Sequence, residues 1–224
     1  MGTDNLFHKR KVKKAKDLRR RAAKRAPYAK ILIVCEGEKT EPNYFNGVKD
    51  HYGLNSANIE ICGESGSDPL SILQHAKQRY REERDARDAF DKVFCVFDKD
   101  THPQYGEALQ AIAAQRPQDA FVAITSVPCF EYWLLLHFIY TTRPYAALLG
   151  NSAGDQILAE LRQYLPNYQK GQKSVFIELI DQLVSATKNA QKALQAAERS
   201  GTDNPTTHVH ELVDFMRTIK KQAY

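Results

Sequence analysis

The run Ile31-Leu32-Ile33-Val34-Cys35 is apolar without interruption and rich in β-branched residues. A strand with one wet face alternates apolar and polar residues. An unbroken apolar run of this length suits a strand covered on both faces, as in a parallel sheet flanked by helices. Val93 to Phe97 has the same character, and Asn58 to Cys62 and Ala120 to Thr125 are further strand candidates.

The segments between these runs read as helices over residues 42–52, 69–89 and 104–115. For the first, Thr40 or Glu41 stands near the N-cap, Pro42 at the first helical position and Gly53 just past the end. Strands alternating with helices predict an α/β fold with a four-stranded, mostly parallel sheet. After Pro128 the pattern turns helical: Phe130 to Tyr140, then residues 154–165, 174–198 and 205–221, the last opened by Asn204-Pro205 as N-cap and first helical residue. No strand is expected in this half. Residues 1–29 thus read as a flexible basic arm, 30–128 as an α/β core, and 129–224 as a helical subdomain packed on the sheet.

Charge separates the arm from the body. The first 30 residues carry a formal +10 and the remainder −5, so the overall +5 belongs to the arm. Its Lys9, Arg10, Lys11, Lys13, Lys14, Lys16, Arg19, Arg20, Arg21, Lys24 and Arg25 form a candidate nucleic-acid contact that would grip phosphate backbones without reading sequence. A merely solubilising tail reads the same way. With 42% hydrophobic residues in 224, a sizeable core is expected. The longest apolar run, Trp133 to Tyr140, is far short of the ~20 residues that span a bilayer. No signal-peptide h-region opens the chain, and a cytoplasmic protein is expected. Cys35, Cys62, Cys95 and Cys129 are dispersed, without metal-binding spacing, and read as buried thiols.

Two of the expected strands end in acids: Val34-Cys35-Glu36-Gly37-Glu38 and Val96-Phe97-Asp98-Lys99-Asp100. In open α/β sheets chemistry gathers beyond the carboxyl ends of strands. Gly37 would let the backbone turn sharply there. In an extended Asp98-x-Asp100 both side chains point the same way. Glu36, Asp98 and Asp100 converging would make a hard oxygen site for Mg²⁺ or Mn²⁺ and a phosphate. Asp-x-Asp alone is weak; its pairing with Glu-Gly on another strand carries the reading.

This order of strand, Glu-Gly, helix, strand, helix, strand and Asp-x-Asp resembles the Toprim domain of topoisomerases, primases and OLD-type nucleases. More closely, ILIVCEGEKTEPNYF (31–45), VFCVFDKDTH (93–102), TSVPCFEYWLLLHF (125–138) and NPTTHVHELV (204–213) look like the RloB family, whose members resemble the abortive-infection protein AbiL and often lie in restriction loci beside an ATPase. The resemblance implies a metal-dependent nuclease in antiphage defence with an ATPase partner. On it, Glu36 is the Toprim glutamate, and Asp98 and Asp100 are the Asp-x-Asp pair. Glu41 stands one residue off the second glutamate of the OLD-type turn. Glu131 is a further candidate ligand, and Lys170 a candidate for stabilising the pentavalent phosphate.

Other readings stay open. Val93 to Thr101 also fits the haloacid-dehalogenase phosphatase pattern, which requires a later strand ending in paired acids. A catalytically silent adaptor for nucleic acid or an ATPase is the other alternative. His208 and His210 are two apart, the wrong spacing to share a helix face, and read as surface residues. Tyr132 and Trp133 read as core. Gly63-Glu64-Ser65-Gly66-Ser67 lacks the signature of a phosphate-binding P-loop.

Overall fold

The computed structural model describes residues 25–63, 68–99, 102–117, 119–148 and 150–222. Its strands are β1 (Ile31–Cys35), β2 (Ile59–Cys62), β3 (Lys92–Asp98), β4 (Phe121–Val127) and β5 (Thr206–Thr207). Its α-helices are α1 (Thr40–His51), α2 (Pro69–Asp85), α3 (Tyr105–Ala113), α4 (Glu131–Leu135), α5 (Ala153–Tyr164), α6 (Val175–Leu179), α7 (Leu183–Ser200) and α8 (Val209–Thr218). The sheet runs β2-β1-β3-β4-β5, parallel through the first four strands, with β5 antiparallel to β4.

β1 bonds to a neighbour on each side, with Ile31 in register with both Ile59 and Lys92, and all five of its residues are fully buried. Its alternation divides the molecule. Ile31, Ile33 and Cys35 join one core with Tyr44, Phe45 and Val48 of α1 and with α4 to α8. Leu32 and Val34 join the other, with Ile72, Leu73 and Ala76 of α2 and with Ala108 and Ile112 of α3. Both faces are apolar because both are covered. Each such side chain contributes about 1.5–3 kcal/mol by leaving water.

The chain leaves β1 through α1 on one face to reach β2, and leaves β3 through α3 on the opposite face to reach β4. The strand order therefore reverses direction between β1 and β3. In doubly wound sheets such a switch point opens a crevice at the strands' carboxyl ends, and β1 and β3 are the strands followed or ended by Glu36 and Asp98.

The sheet has five strands where four were expected. The fifth comes from the helical half: Thr206 and Thr207 pair with Val127 and Ser126, and His208 N–H donates to Thr125 O at 2.9 Å. The last long helix consequently begins at Val209, not at 205. Asn204 does not cap it; its Oδ1 accepts from Tyr145 N and its Nδ2 donates to Tyr145 O. The helix expected over Phe130 to Tyr140 is α-helical only through Leu135 and then turns. Tyr132 to Leu136 are buried on every side, so their hydrophobicity reports burial more than helix length. The stretch 174–198 is α6 and α7, separated by a 3₁₀ turn at Ile180–Gln182. His210 is buried, not a surface residue. No disulfide links the four cysteines.

α2 ends at Asp85, earlier than expected, and Arg87 takes a left-handed turn (φ 61°). The turn brings two acids back to the start of β1. Lys30 Nζ lies 2.5 Å from Glu83 Oε2 and 2.7 Å from Asp88 Oδ2, and Arg25 pairs with Asp88 and Asp91 at 2.7 and 3.2 Å. This clamp holds the root of the basic arm at the amino end of β1. No described helix is long and apolar enough to cross a membrane.

Candidate functional site

Glu36 directly follows β1, and its backbone N–H continues the pairing by donating to Val96 O at 3.0 Å. Its side chain turns across to β3, where Oε2 accepts the N–H of Asp98 at 3.0 Å. Its Oε1 lies 2.8 Å from Nε2 of His102. Asp98, the last residue of β3, accepts the N–H of Phe130 on Oδ2 at 3.1 Å, which ties the start of α4 to the sheet. Glu131 is the first residue of α4 and is buried. Its Oε1 lies 3.1 Å from Lys170 Nζ and accepts from Tyr168 OH at 3.4 Å.

Glu41 sits in the first turn of α1, buried, and its Oε2 has no hydrogen-bond partner. A Cβ on Gly37 would collide with that carboxylate, so the glycine of Glu-Gly leaves room for Glu41. Gly63, just after β2, is also closely packed: its Cβ would stand 2.8 Å from Gly37 O.

The carboxylates of Glu36 and Glu131 lie close enough to act on those of Glu41 and Asp98. Burial, with the charges of Glu131 and Glu36, pushes the Glu41 carboxyl up to about 7, although its own helix N–H and Lys170 pull the other way. Burial and the charges of Glu41 and Glu131 raise Asp98 well above its ordinary value, partly offset by the Phe130 N–H. Cys129 is raised by burial and by Glu131 and Asp98. Burial works against the Lys170 ammonium, but the charge of Glu131 and its hydrogen bond prevail and raise it. Negative charge therefore exceeds its local compensation, which is the situation in which carboxylates are held half-protonated or bridged by a cation.

Lys170 owes its place to a turn docked on α1. Gly171 N–H donates to Thr40 Oγ1 at 3.0 Å, and Asn43 Nδ2 donates to Gly171 O at 2.7 Å. Gly171 has φ 79°, and a Cβ there would stand 2.9 Å from Lys39 Cβ. Only glycine fits both constraints without strain.

The donor set is all oxygen, with Glu41 and Glu131 buried, Glu36 and Asp98 half-buried, and one orphaned carboxylate oxygen, which suits a hard divalent ion. Among the described residues, however, no group of three or more His, Cys, Asp or Glu side chains is gathered closely enough to hold a metal ion as it stands. Asp100, the remaining expected ligand, lies outside the described residues, as do Lys9, Arg10, Lys11, Lys13, Lys14, Lys16, Arg19, Arg20, Arg21 and Lys24. Arg25, expected to contact nucleic acid, is engaged by Asp88 and Asp91.

The structure thus brings together Glu36, Glu41, Asp98, Glu131 and Lys170, drawn from the ends of β1 and β3, from α1, from α4 and from the 169–172 turn. Sequence reasoning assigned no role to His102, Tyr168 or Cys129. His102 closes the VFCVFDKDTH stretch and was legible there only as a neighbour of Asp-x-Asp. Tyr168 shares a loop with Lys170, and no pattern signals that it reaches Glu131.

The chain is an α/β protein in which acids converge at the switch point of a mostly parallel sheet, the place where doubly wound folds bind ligands. The sequence model of the RloB-like protein family matches residues 31–216, and the chain belongs to this family. No curated protein and no solved structure matches it.

Proposed function

We propose that this protein is a Toprim-type nuclease, dependent on Mg²⁺ or Mn²⁺, which hydrolyses phosphodiester bonds of DNA or RNA in antiphage or restriction-linked defence with a partner ATPase. One observation carries the reading: acids from β1, β3, α1 and α4 meet at the switch point with Lys170 and a buried oxygen that has no partner.

Glu36, Asp98 and Glu131, with Glu41 and Asp100, are the residues that would hold the ion. When bound, it supplies a water of lowered pKa and neutralises charge on the transferring phosphoryl group. Glu36 is fixed before any ligand arrives, by the Asp98 amide on one oxygen and His102 on the other. Lys170 keeps 59% of its side chain exposed beside a Glu131 that is 3% exposed, so its ammonium faces the approach to the acids and can donate to phosphate oxygens. The basic arm adds affinity for phosphate backbones that falls with salt.

A second reading, a silent adaptor for nucleic acid or an ATPase, takes the same Glu36 contacts the other way. Both oxygens of Glu36 are already satisfied within the chain, and no close three-ligand group exists among the described residues. The phosphatase reading finds less support, since β4 runs out through Ser126-Val127-Pro128 with no paired acids. The deciding experiment incubates the protein with mixed DNA and RNA, with and without any ATPase encoded beside it, in Mg²⁺ or Mn²⁺. Metal-dependent cleavage that disappears in Asp98→Ala supports the nuclease. Cleavage that persists in Asp98→Ala removes this site from the chemistry. Nucleic-acid binding without cleavage under every condition favours the adaptor.

A further inference from the structure

A cavity of about 230 Å³ opens at the carboxyl end of β4, lined in part by Val127 and Pro128. Lys99, which directly follows Asp98, and Pro128, two residues before Phe130, form its inner edge. Its outer walls come from Ala146, Ala147 and Ala153. Along the chain, its lining is therefore one residue from Asp98 and includes the segment that leads to Glu131.

The walls are set by the fold. Asn204 bonds both the N–H and the carbonyl of Tyr145, as a neighbouring strand would, and fixes the backbone on one side. Ser152 caps α5 through a reciprocal pair with Asp155 and fixes the other. Gly154, next to Ala153 of the lining, stands against Cys129, the residue after Pro128. The lining is mostly apolar, with alanines giving flat, shallow surfaces. The cation at its edge, Lys99, pairs with Asp203 at 2.6 Å with both side chains over a third exposed. An exposed pair of this kind is worth little and exchanges readily for another anion.

We propose that this cavity receives the nucleoside next to the scissile phosphate, with Lys99 meeting the phosphodiester that follows it. At the ~30 Å³ that one water occupies in the liquid, the cavity has room for about seven or eight waters, the size of one nucleobase with part of its sugar. Flat apolar walls accept the faces of a base, and Lys99 at the edge offers a cation to the phosphate. The proposal takes its substrate class from the nuclease reading. It adds that the nucleotide beside the cut is gripped, so cleavage has a preference at that position.

The test measures binding of the four nucleoside 5′-monophosphates and their bare nucleosides to the full chain by ligand-observed NMR, without relying on cleavage. Ala147→Trp fills the cavity from an exposed position, and its fold is checked by thermal melting. Lys99→Ala removes the edge cation without adding volume. The expected result is binding of at least one monophosphate to wild type, lost at least tenfold in Ala147→Trp. In Lys99→Ala the monophosphate weakens several-fold while the nucleoside is unchanged. No monophosphate binding to wild type, or equal binding to wild type and a folded Ala147→Trp, overturns the proposal. If the nucleotide binds and Ala147→Trp abolishes it, yet no metal condition gives cleavage, the cavity stands and the nuclease reading fails.

Discussion

Glu36 accepts the backbone N–H of Asp98 at 3.0 Å, across the gap where the sheet reverses its winding. The contact fastens the two strand ends to one another through a side chain, so the acid that follows β1 is aimed at the acid that ends β3. The other Glu36 oxygen rests on His102 at 2.8 Å. Neither oxygen swings freely, so the carboxylate is oriented before any ligand arrives.

His102 should matter through Glu36. Removing a partner that orients a metal-ligating group typically costs 10–100-fold in metal affinity or activity. His102→Ala is expected to weaken Mn²⁺ binding by about that factor, measured by isothermal titration calorimetry. His102→Gln, which can still donate to Glu36, should recover part of the loss. Equal affinity in wild type and His102→Ala would show the contact to be incidental.

Glu41 should trade stability for ligand. Its carboxyl is raised to about 7 chiefly by burial, from an ordinary 4.5. The folded state therefore holds the proton more tightly than the unfolded state, and metal-free stability falls as pH rises from about 4.5 to about 7. Glu41→Gln should flatten that slope and stabilise the metal-free protein at pH 8 by on the order of 1–3 kcal/mol. Urea unfolding across pH checks it; a variant less stable than wild type at pH 8 would contradict it.

The turn that carries Lys170 should be sensitive at Gly171. Alanine there faces both a φ of 79° and the Lys39 side chain. Gly171→Ala is expected to cost about 1–3 kcal/mol and to lower cleavage more than Lys77→Ala, a lysine on α2 that serves as control. Comparing melting temperature and cleavage rate for the two variants checks it.

The clamp on Lys30 gives the opposite pH signature. Hydrogen bonds from Lys30 hold Glu83 and Asp88 below their ordinary values of 4.5 and 3.8. Their contribution is present above those ordinary values and is lost as pH falls through the lower folded ones. Lys30→Met should destabilise by about 1–3 kcal/mol at pH 7, because the acids are partly exposed. The difference from wild type should shrink below pH 4 in the same urea titration.

The legible parts of the fold share a cause. β1 and β3 are unbroken apolar runs because both faces are covered, and an acid just beyond such a run stands out. Glu131 and Lys170 entered only through the family resemblance, since neither follows a strand. Thr206 and Thr207 stayed hidden because a two-residue strand has no period, and Asn204-Pro205 offers the chemistry of a helix start while Asn204 serves the Tyr145 backbone. Glu41 was visible as an acid but not as a buried one, because its burial depends on Gly37 clearing space and on α4 arriving from 90 residues later. The contacts of His102 depend on how the chain turns after β3, which no local pattern encodes.

The most direct test is a thermal melt of the full chain against Mg²⁺ and Mn²⁺, for wild type and for Asp98→Asn. An ion at a hundredfold excess over its Kd stabilises the folded state by about 2.7 kcal/mol, or roughly 5–10 °C for a chain of this size. The carboxylate account predicts that rise in wild type and its loss in Asp98→Asn. A wild type that ignores both ions, or an Asp98→Asn that rises equally, would contradict it.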